Sequence, residues 1–279
     1  MAPLRLGEKN IINFMVDYRH KPRKRFGQNF LTDKRVVDGI ISAIAPWPEE
    51  NFIEIGPGLG ALTLPLLEKI GRLRAVEIDR DLIPQLQEKC RHAGELIIHQ
   101  ADALEFDFSA LATAELQWRI VGNLPYNIST PLLFHLISQI RHIKDMHFML
   151  QKEVVDRMGA RENDPDYGRL SVMLQYHCNV TPLFVVPPTA FKPQPQVDSR
   201  IVRLLPHPTP PCPATRYADF SALVKQAFAQ RRKTLRNNLK NMLDGDGIAA
   251  LGIDPGVRAE TLAPADFVRL ANAWTLTKS

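Results

Sequence analysis

The chain has 279 residues, 45% hydrophobic and 23% charged, a balance that excludes whole-chain disorder. No apolar run reaches the ~20 residues a bilayer-spanning helix needs, and the apolar stretch Ile11 to Met15 is too short for a secretory signal core. The formal net charge of +5 is modest, so any polyanion partner must be read from where the charge sits rather than from its total.

Residues 1–20 form a tail with no clear period. A first basic cluster, Arg19, Lys21, Arg23, Lys24 and Arg25, overlaps its end. From there the pattern alternates. A helix is expected over Val36–Ile44, stopped by Pro46 and Pro48. A short apolar strand, Asn51–Ile55, ends in a glycine turn. Leu59–Ile70 reads as a helix that Pro65 should distort. Leu73–Ile78 is a strand, Leu82–Cys90 a helix, Glu95–His99 and Trp118–Val121 strands. Ser129 is a candidate N-cap, with Pro131 in the first turn of a helix reaching Ile140. Met146–Leu150 is a strand, Lys152–Met158 and Leu170–Tyr176 are helical, and Val180–Val186 and Ile201–Leu205 are late strands.

Strands alternating with helices predict an α/β fold with a mostly parallel sheet covered on both faces. Prolines fill five of the eight positions from Pro206 to Pro213, a stiff linker that divides residues 21–205 from a small all-α part, 214–279. In that part, Tyr217 to about Leu243 reads as one long basic helix ended by Gly245 and Gly247. It carries the second basic cluster: Arg231, Arg232 and Lys233, with Lys225, Arg236 and Lys240 nearby. Two basic clusters so far apart in sequence suggest a nucleic-acid partner. Cys90, Cys178 and Cys212 form no CxxC pair and no zinc spacing with the eight histidines. Reduced thiols in a cytoplasmic protein without a metal are expected.

The segment Glu54-Ile-Gly56-Pro-Gly58-Leu-Gly60 follows the first predicted strand directly. Gly56 and Gly58 permit turns and close approaches that a Cβ would block, and Ala61 completes a match to G-x-G-x-x-G/A. Glu77 ends the second strand, about 20 residues past the first glycine, where a carboxylate takes two ribose hydroxyls. Asp102 follows the third strand and is placed to accept from an adenine amino group. Gly-rich turn, Glu and Asp thus stand at three successive strand ends, on the edge where open α/β sheets bind ligands. NAD and S-adenosyl-L-methionine both fit these residues. Glu54 favours the second, because its charge would repel a pyrophosphate and attract a sulfonium and an ammonium.

The next strand ends in Asn123-Leu124-Pro125-Tyr126. An exocyclic adenine nitrogen is a poor nucleophile, since its lone pair is delocalised into the ring. Hydrogen bonds from that amino group to the Asn123 oxygen and the Leu124 carbonyl would hold it and favour a more tetrahedral nitrogen. Tyr126 offers a stacking face for a base taken out of its helix, and Pro125 stiffens the loop. The leaving group would be a neutral thioether, so alignment and electrostatics suffice and no strong base is required. Phe191-Lys-Pro193-Gln-Pro195-Gln-Val197-Asp198-Ser199 is either a Pro-rich loop or, through Phe191, the second face of an aromatic clamp.

Taken with Arg25-Phe-Gly-Gln28-Asn29-Phe30-Leu31, these motifs stand in the order seen in ribosomal RNA adenine dimethyltransferases, which the chain resembles from about Lys24 to its C-terminus. Gln230-Arg-Arg-Lys-Thr-Leu-Arg236-Asn237-Asn238-Leu239 is similar to the C-terminal signature of the bacterial small-subunit (16S) type. The resemblance implies a class I, Rossmann-like S-adenosyl-L-methionine-dependent methyltransferase with a seven-stranded sheet, acting as a monomer in ribosome biogenesis. It implies dimethylation of N6 on two adjacent adenines near the 3′ end of 16S rRNA in the immature small subunit. It also implies that Asn29 and Leu31 line the cofactor pocket with Gly56, Glu77, Asp102 and Asn123. Gln196 departs from the family, which often carries Lys there, and the first ~15 residues extend beyond the usual start. Three rivals remain: a large-subunit dimethyltransferase of the macrolide-resistance type, a non-catalytic nucleic-acid-binding assembly or transcription factor, and an NAD-dependent dehydrogenase.

Overall fold

The computed structural model describes residues 28–111 and 117–278. The tail, the first basic cluster and Arg25–Gly27 of the first motif lie outside the described residues. A seven-stranded sheet is built from β2 (Phe52–Ile55), β3 (Arg72–Glu77), β4 (Glu95–Gln100), β5 (Trp118–Asn123), β6 (Ile143–Gln151), β7 (Cys178–Val186) and β9 (Ser199–Pro206). Its order is β4-β3-β2-β5-β6-β9-β7. The β2–β3, β3–β4, β2–β5 and β5–β6 pairs are parallel, and β9 runs antiparallel to both β6 and β7. An all-parallel dinucleotide sheet ends 4-5-6; here the last strand inserts before its predecessor and reverses direction.

Every residue of β2 is buried, because helices cover both faces of the sheet. One core cluster holds Ile53, Ile120 and Phe148 with α4 (Ser129–Ser138), and the other holds Phe52, Leu73 and Ile201 with α1 (Lys34–Ile44) and α2 (Thr63–Ile70). The amino edge of the sheet is locked by Arg119, 6% exposed. It donates to both oxygens of Asp145 at 2.9 and 3.0 Å, to Glu50 at 2.6 Å and to the Ile44 carbonyl at 2.6 Å. Such a buried network fixes geometry more than it stabilises.

A second, two-stranded sheet has no counterpart in the sequence pattern. β1 (Phe30–Leu31) pairs antiparallel with β8 (Phe191–Lys192), Phe30 opposite Lys192 and Leu31 opposite Phe191. Thr32 extends the join, its N–H and hydroxyl both donating to the Ala190 carbonyl. Two-residue strands carry no periodicity, so nothing local announces them.

Three helix expectations change. α2 starts at Thr63 because Gly58 and Gly60 have φ of +55° and +75°, outside the helical region. Pro65 then falls in the first turn, where a missing N–H costs nothing, so no kink is needed. The long C-terminal helix is broken into α7 (Tyr217–Ala227) and α8 (Leu235–Leu239). The break is held by Asn238, 5% exposed, whose amide nitrogen donates to the Ala227 and Gln230 carbonyls at 2.7 and 3.1 Å. Gly245 and Gly247 open α9 (Gly245–Ala249) rather than end a helix, with Asp244 capping the Gly247 N–H at 2.8 Å. Asn238→Ala is expected to cost about 1–3 kcal/mol by stranding buried carbonyls. Urea unfolding of the two proteins side by side measures it.

α7 and α10 (Pro264–Leu276) pack on α6 (Arg169–His177), sharing one core of Val172, Met173, Tyr176, Phe220, Leu223 and Phe267. Cys212 and Ala214 lie against that core. Among the described residues, no helix is long and apolar enough to cross a membrane.

Candidate active site at the carboxyl edge of the sheet

A cleft of about 320 Å³ opens where the strand order reverses, between the carboxyl ends of β2 and β5. Its wall contains Asn29, Leu31, Gly56, Glu77, Asp102 and Asn123, and also Leu124, Pro125 and Tyr126. Backbone hydrogen bonds pin the strand ends that reach the cleft. The Gly56 N–H donates to the Val76 carbonyl, that of Ala101 to Glu77, and that of Leu124 to Met149.

Glu77 is 5% exposed and accepts from the Gly58 N–H at 3.2 Å and the Asp79 N–H at 2.8 Å. It therefore braces the glycine turn from the neighbouring strand. Burial pushes its carboxyl above the ordinary range, against those two N–H groups. Asp102 accepts from the Leu104 N–H at 2.9 Å, a turn that aims its carboxyl from the end of β4. Gly58 is further constrained from above: a Cβ there would meet the Phe30 ring at 3.2 Å.

Glu54 tests what the cleft is suited to hold. It is 2% exposed, lines the cleft, and its Oε2 has no hydrogen-bond partner among the described residues. Burial raises its pKa to about 7, with the Glu77 carboxylate adding to the rise and Thr63 and Lys89 opposing it. Lys89 is turned elsewhere, donating to the Leu59 carbonyl at 2.8 Å and the Gly60 carbonyl at 3.3 Å. A buried carboxylate oxygen left without a hydrogen bond in the cleft wall calls for a cationic ligand. The ammonium and sulfonium of S-adenosyl-L-methionine fit that demand; a pyrophosphate does not.

Asn123 is the last residue of β5. Its Nδ2 donates to the Asn29 carbonyl at 2.9 Å. A carbonyl can only accept, so this bond fixes the amide orientation and leaves Oδ1 as the atom offered to the cleft. The loop beyond is tied down: the Ile128 N–H donates to the Pro125 carbonyl, and the Ser129 hydroxyl to the Tyr126 carbonyl. Ser129 serves here from inside the helix, not as the cap expected of it. The Tyr126 and Ser199 hydroxyls share a hydrogen bond of 2.6 Å.

Similarity to known proteins decides what this cleft belongs to. The family model described as ribosomal RNA adenine dimethylase matches residues 19–276. The chain belongs to the ribosomal RNA adenine dimethylase family. It is 56% identical to the ribosomal RNA small subunit methyltransferase A of Chromohalobacter salexigens over 91% of both chains. It is 57% identical to the protein of the same description in Chromobacterium violaceum, over 91% of this chain and 96% of that one. Among solved structures, a dimethyladenosine transferase from Plasmodium falciparum superposes with a TM-score of 0.74 at 28% identity, over 86% of this chain and 95% of that one. The 23S rRNA methyltransferase ErmE shares the fold, with a TM-score of 0.69 at 24% identity, over 88% and 100%. As a member of this family the chain is an S-adenosyl-L-methionine-dependent rRNA methyltransferase, and the dehydrogenase reading falls.

Phe191 requires a correction. Expected as one face of a base clamp, it is 1% exposed, packs with Leu31, Met149 and Ile201, and does not line the cleft. Pairing with β1 turns its ring into the core. Three contributors escaped the sequence. These are the Gln28 amide, which donates to Asp79 at 3.0 Å, the backbone carbonyl of Asn29, a residue expected at the cofactor pocket but not as the partner of Asn123, and the Ser199 hydroxyl, bonded to that of Tyr126. The two contacts of Asn29 and Ser199 join residues 94 and 73 positions apart, beyond any local signal. The second basic cluster also divides. Arg231 pairs with Glu260 at 3.2 Å and donates to the Pro165 carbonyl, whereas Arg232 and Lys233 are exposed and have no ion pair among the described residues.

Proposed function

We propose that the chain dimethylates N6 of two adjacent adenines near the 3′ end of 16S rRNA, as a step in small-subunit biogenesis. The observation that carries this reading is the identity of 51–57% with small subunit methyltransferases A over 91% of the chain. In this reading the cofactor is held by Gly56, Glu77 and Asp102, with Asn29 and Leu31 closing over it and Glu54 meeting its cationic end. It supplies an activated methyl group on a sulfonium. Asn123 Oδ1 accepts from the target amino group, with the Leu124 carbonyl as a second acceptor, and Tyr126 stacks on the flipped base. The proton leaves the product nitrogen after attack, so no side chain is required as a base. The protein acts in the cytoplasm as a monomer. Residues 21–205 form the catalytic domain, 206–213 the linker and 214–279 a helical RNA-binding domain.

The test supplies labelled S-adenosyl-L-methionine with two substrates lacking adenine dimethylation, small ribosomal subunits and large-subunit rRNA. Label in N6,N6-dimethyladenosine from the small subunit alone is expected. Label in large-subunit RNA alone would move the assignment to the resistance-type relative. Cofactor binding without transfer to either would leave an assembly factor.

Electrostatic contact with RNA is a separate expectation. Replacing Arg232 and Lys233 together by Ala should flatten the plot of log K against log salt by about 0.7–0.9 for each phosphate no longer neutralised. Arg231→Ala should change the slope less, because its charge already faces Glu260. Filter binding across a salt series separates the two.

A further inference from the structure

We propose that Ser199 is a positioning residue for methyl transfer, acting by pinning the ring of Tyr126. The proposal rests on the reading of Tyr126 as the stacking face for the target base. Ser199 is fully buried and is the first residue of β9. There it stands in register with Gln151 of β6 on one side and Val186 of β7 on the other, so its hydroxyl is mounted on three paired strands. The loop before it is anchored as well: the Lys152 N–H donates to the Asp198 carbonyl at 2.9 Å. Tyr126, by contrast, sits half-buried on a turn at the mouth of the cleft.

The 2.6 Å bond between the two hydroxyls joins a side chain on a turn to one fixed within a sheet. A tyrosine ring swings mainly about χ1, and holding its far end stops that swing. A base leaving its helix then meets a platform already in place, without ordering it on arrival. The chemistry does not need the tyrosine hydroxyl itself, since stacking uses only the ring. The hydroxyl therefore has a mechanical use here. The other end of the same segment works in parallel: Phe191 pairs with Leu31, two residues beyond the Asn29 carbonyl that orients Asn123. Residues 191–199 thus brace both groups that would handle the adenine.

The experiment uses the full-length protein and small ribosomal subunits whose 16S rRNA carries 2-aminopurine at the target adenine, with matched subunits carrying adenine for the rate measurements. That base lacks the exocyclic N6, so the complex stops before transfer and fluorescence reports stacking alone. Tyr126→Ala sets the bright limit of an extruded, unstacked base. Ser199→Ala and Tyr126→Phe should both move from the quenched wild-type level toward that limit. On the subunits with adenine, each should lower the single-turnover rate by about tenfold while cofactor affinity stays within twofold. The double variant should be no worse than either single one, because both remove the same bond. Unchanged cofactor binding checks the fold, and Tyr126→Phe leaves the buried Ser199 untouched. Wild-type quenching and wild-type rates in Ser199→Ala would overturn the proposal, as would additive losses in the double variant. Absence of transfer by the wild type would instead overturn the substrate reading, and this proposal with it.

Discussion

Asn123→Ala is expected to bind S-adenosyl-L-methionine within a few-fold of the wild type and to lose methyl transfer by about 10²–10³-fold, the scale seen when one preorganised hydrogen-bonding group is removed from a reacting centre. The geometry explains why the loss should be so uneven. Asn123 occupies the end of β5 with its Nδ2 committed to the Asn29 carbonyl, and only Oδ1 remains to receive the target amino group. Alanine keeps the strand and the turn but offers no acceptor. Asn123→Asp is the sharper variant. Its oxygens still accept, but neither can donate to the Asn29 carbonyl, so the group loses its fixed orientation and two acceptors face each other. It should also fall by more than tenfold. Single-turnover transfer beside equilibrium cofactor binding checks both, and near-normal transfer in Asn123→Ala would sink the assigned role.

Glu54→Gln should change stability and cofactor affinity in opposite directions. Burial lifts the Glu54 pKa from 4.5 to about 7, so the folded protein holds this proton where the unfolded chain has released it. Stability from this group is therefore full below pH 4.5, falls as pH rises toward 7, and is flat above. A rise of that size amounts to at most about 3 kcal/mol. Glutamine removes the ionisation, and at pH 8 the cofactor-free variant should be about 2–3 kcal/mol more stable than the wild type. It should bind S-adenosyl-L-methionine more weakly, since the buried negative charge is gone. In the wild type, if only ionised Glu54 binds, affinity should drop about fivefold between pH 7 and pH 6; in the variant that step should vanish. Calorimetric melting and titration at three pH values give both readouts. A variant less stable than the wild type at pH 8 would mean that Glu54 already has its charge satisfied.

The parts of the site that the sequence made legible share one property: each is announced by its position at the end of an apolar run. Gly56, Glu77, Asp102 and Asn123 all follow strands that periodicity can find, and a parallel sheet brings such ends to one edge. What escaped depends on contacts between distant segments. Neither the pairing of Leu31 with Phe191, the bond from Tyr126 to Ser199, nor the burial of the Phe191 ring has a local pattern. The C-terminal break at 228–234 escaped for a related reason. The composition there suits a helix, but Asn238 turns back onto the Ala227 and Gln230 carbonyls, and the Leu235 and Arg236 N–H groups donate to the Val257 and Pro255 carbonyls instead of continuing one. The basic cluster reads as free charge because Glu260, which takes up Arg231, lies 29 positions away.

The two-residue pairing of β1 with β8 also sets an order of assembly. Its strands are separated by about 160 positions, and closing so long a loop is entropically slow compared with forming the neighbouring β2–β3 and β3–β4 units. During synthesis the glycine turn, Glu77 and Asp102 leave the ribosome well before Phe191 does. A nascent chain therefore carries most of a cofactor cleft while Asn123 still lacks the braced carbonyl that aims its amide. On the proposed role of Asn123, methyl-transfer competence is expected only with the last third of the chain, and a fragment ending before Phe191 would have the cleft's floor without its aim.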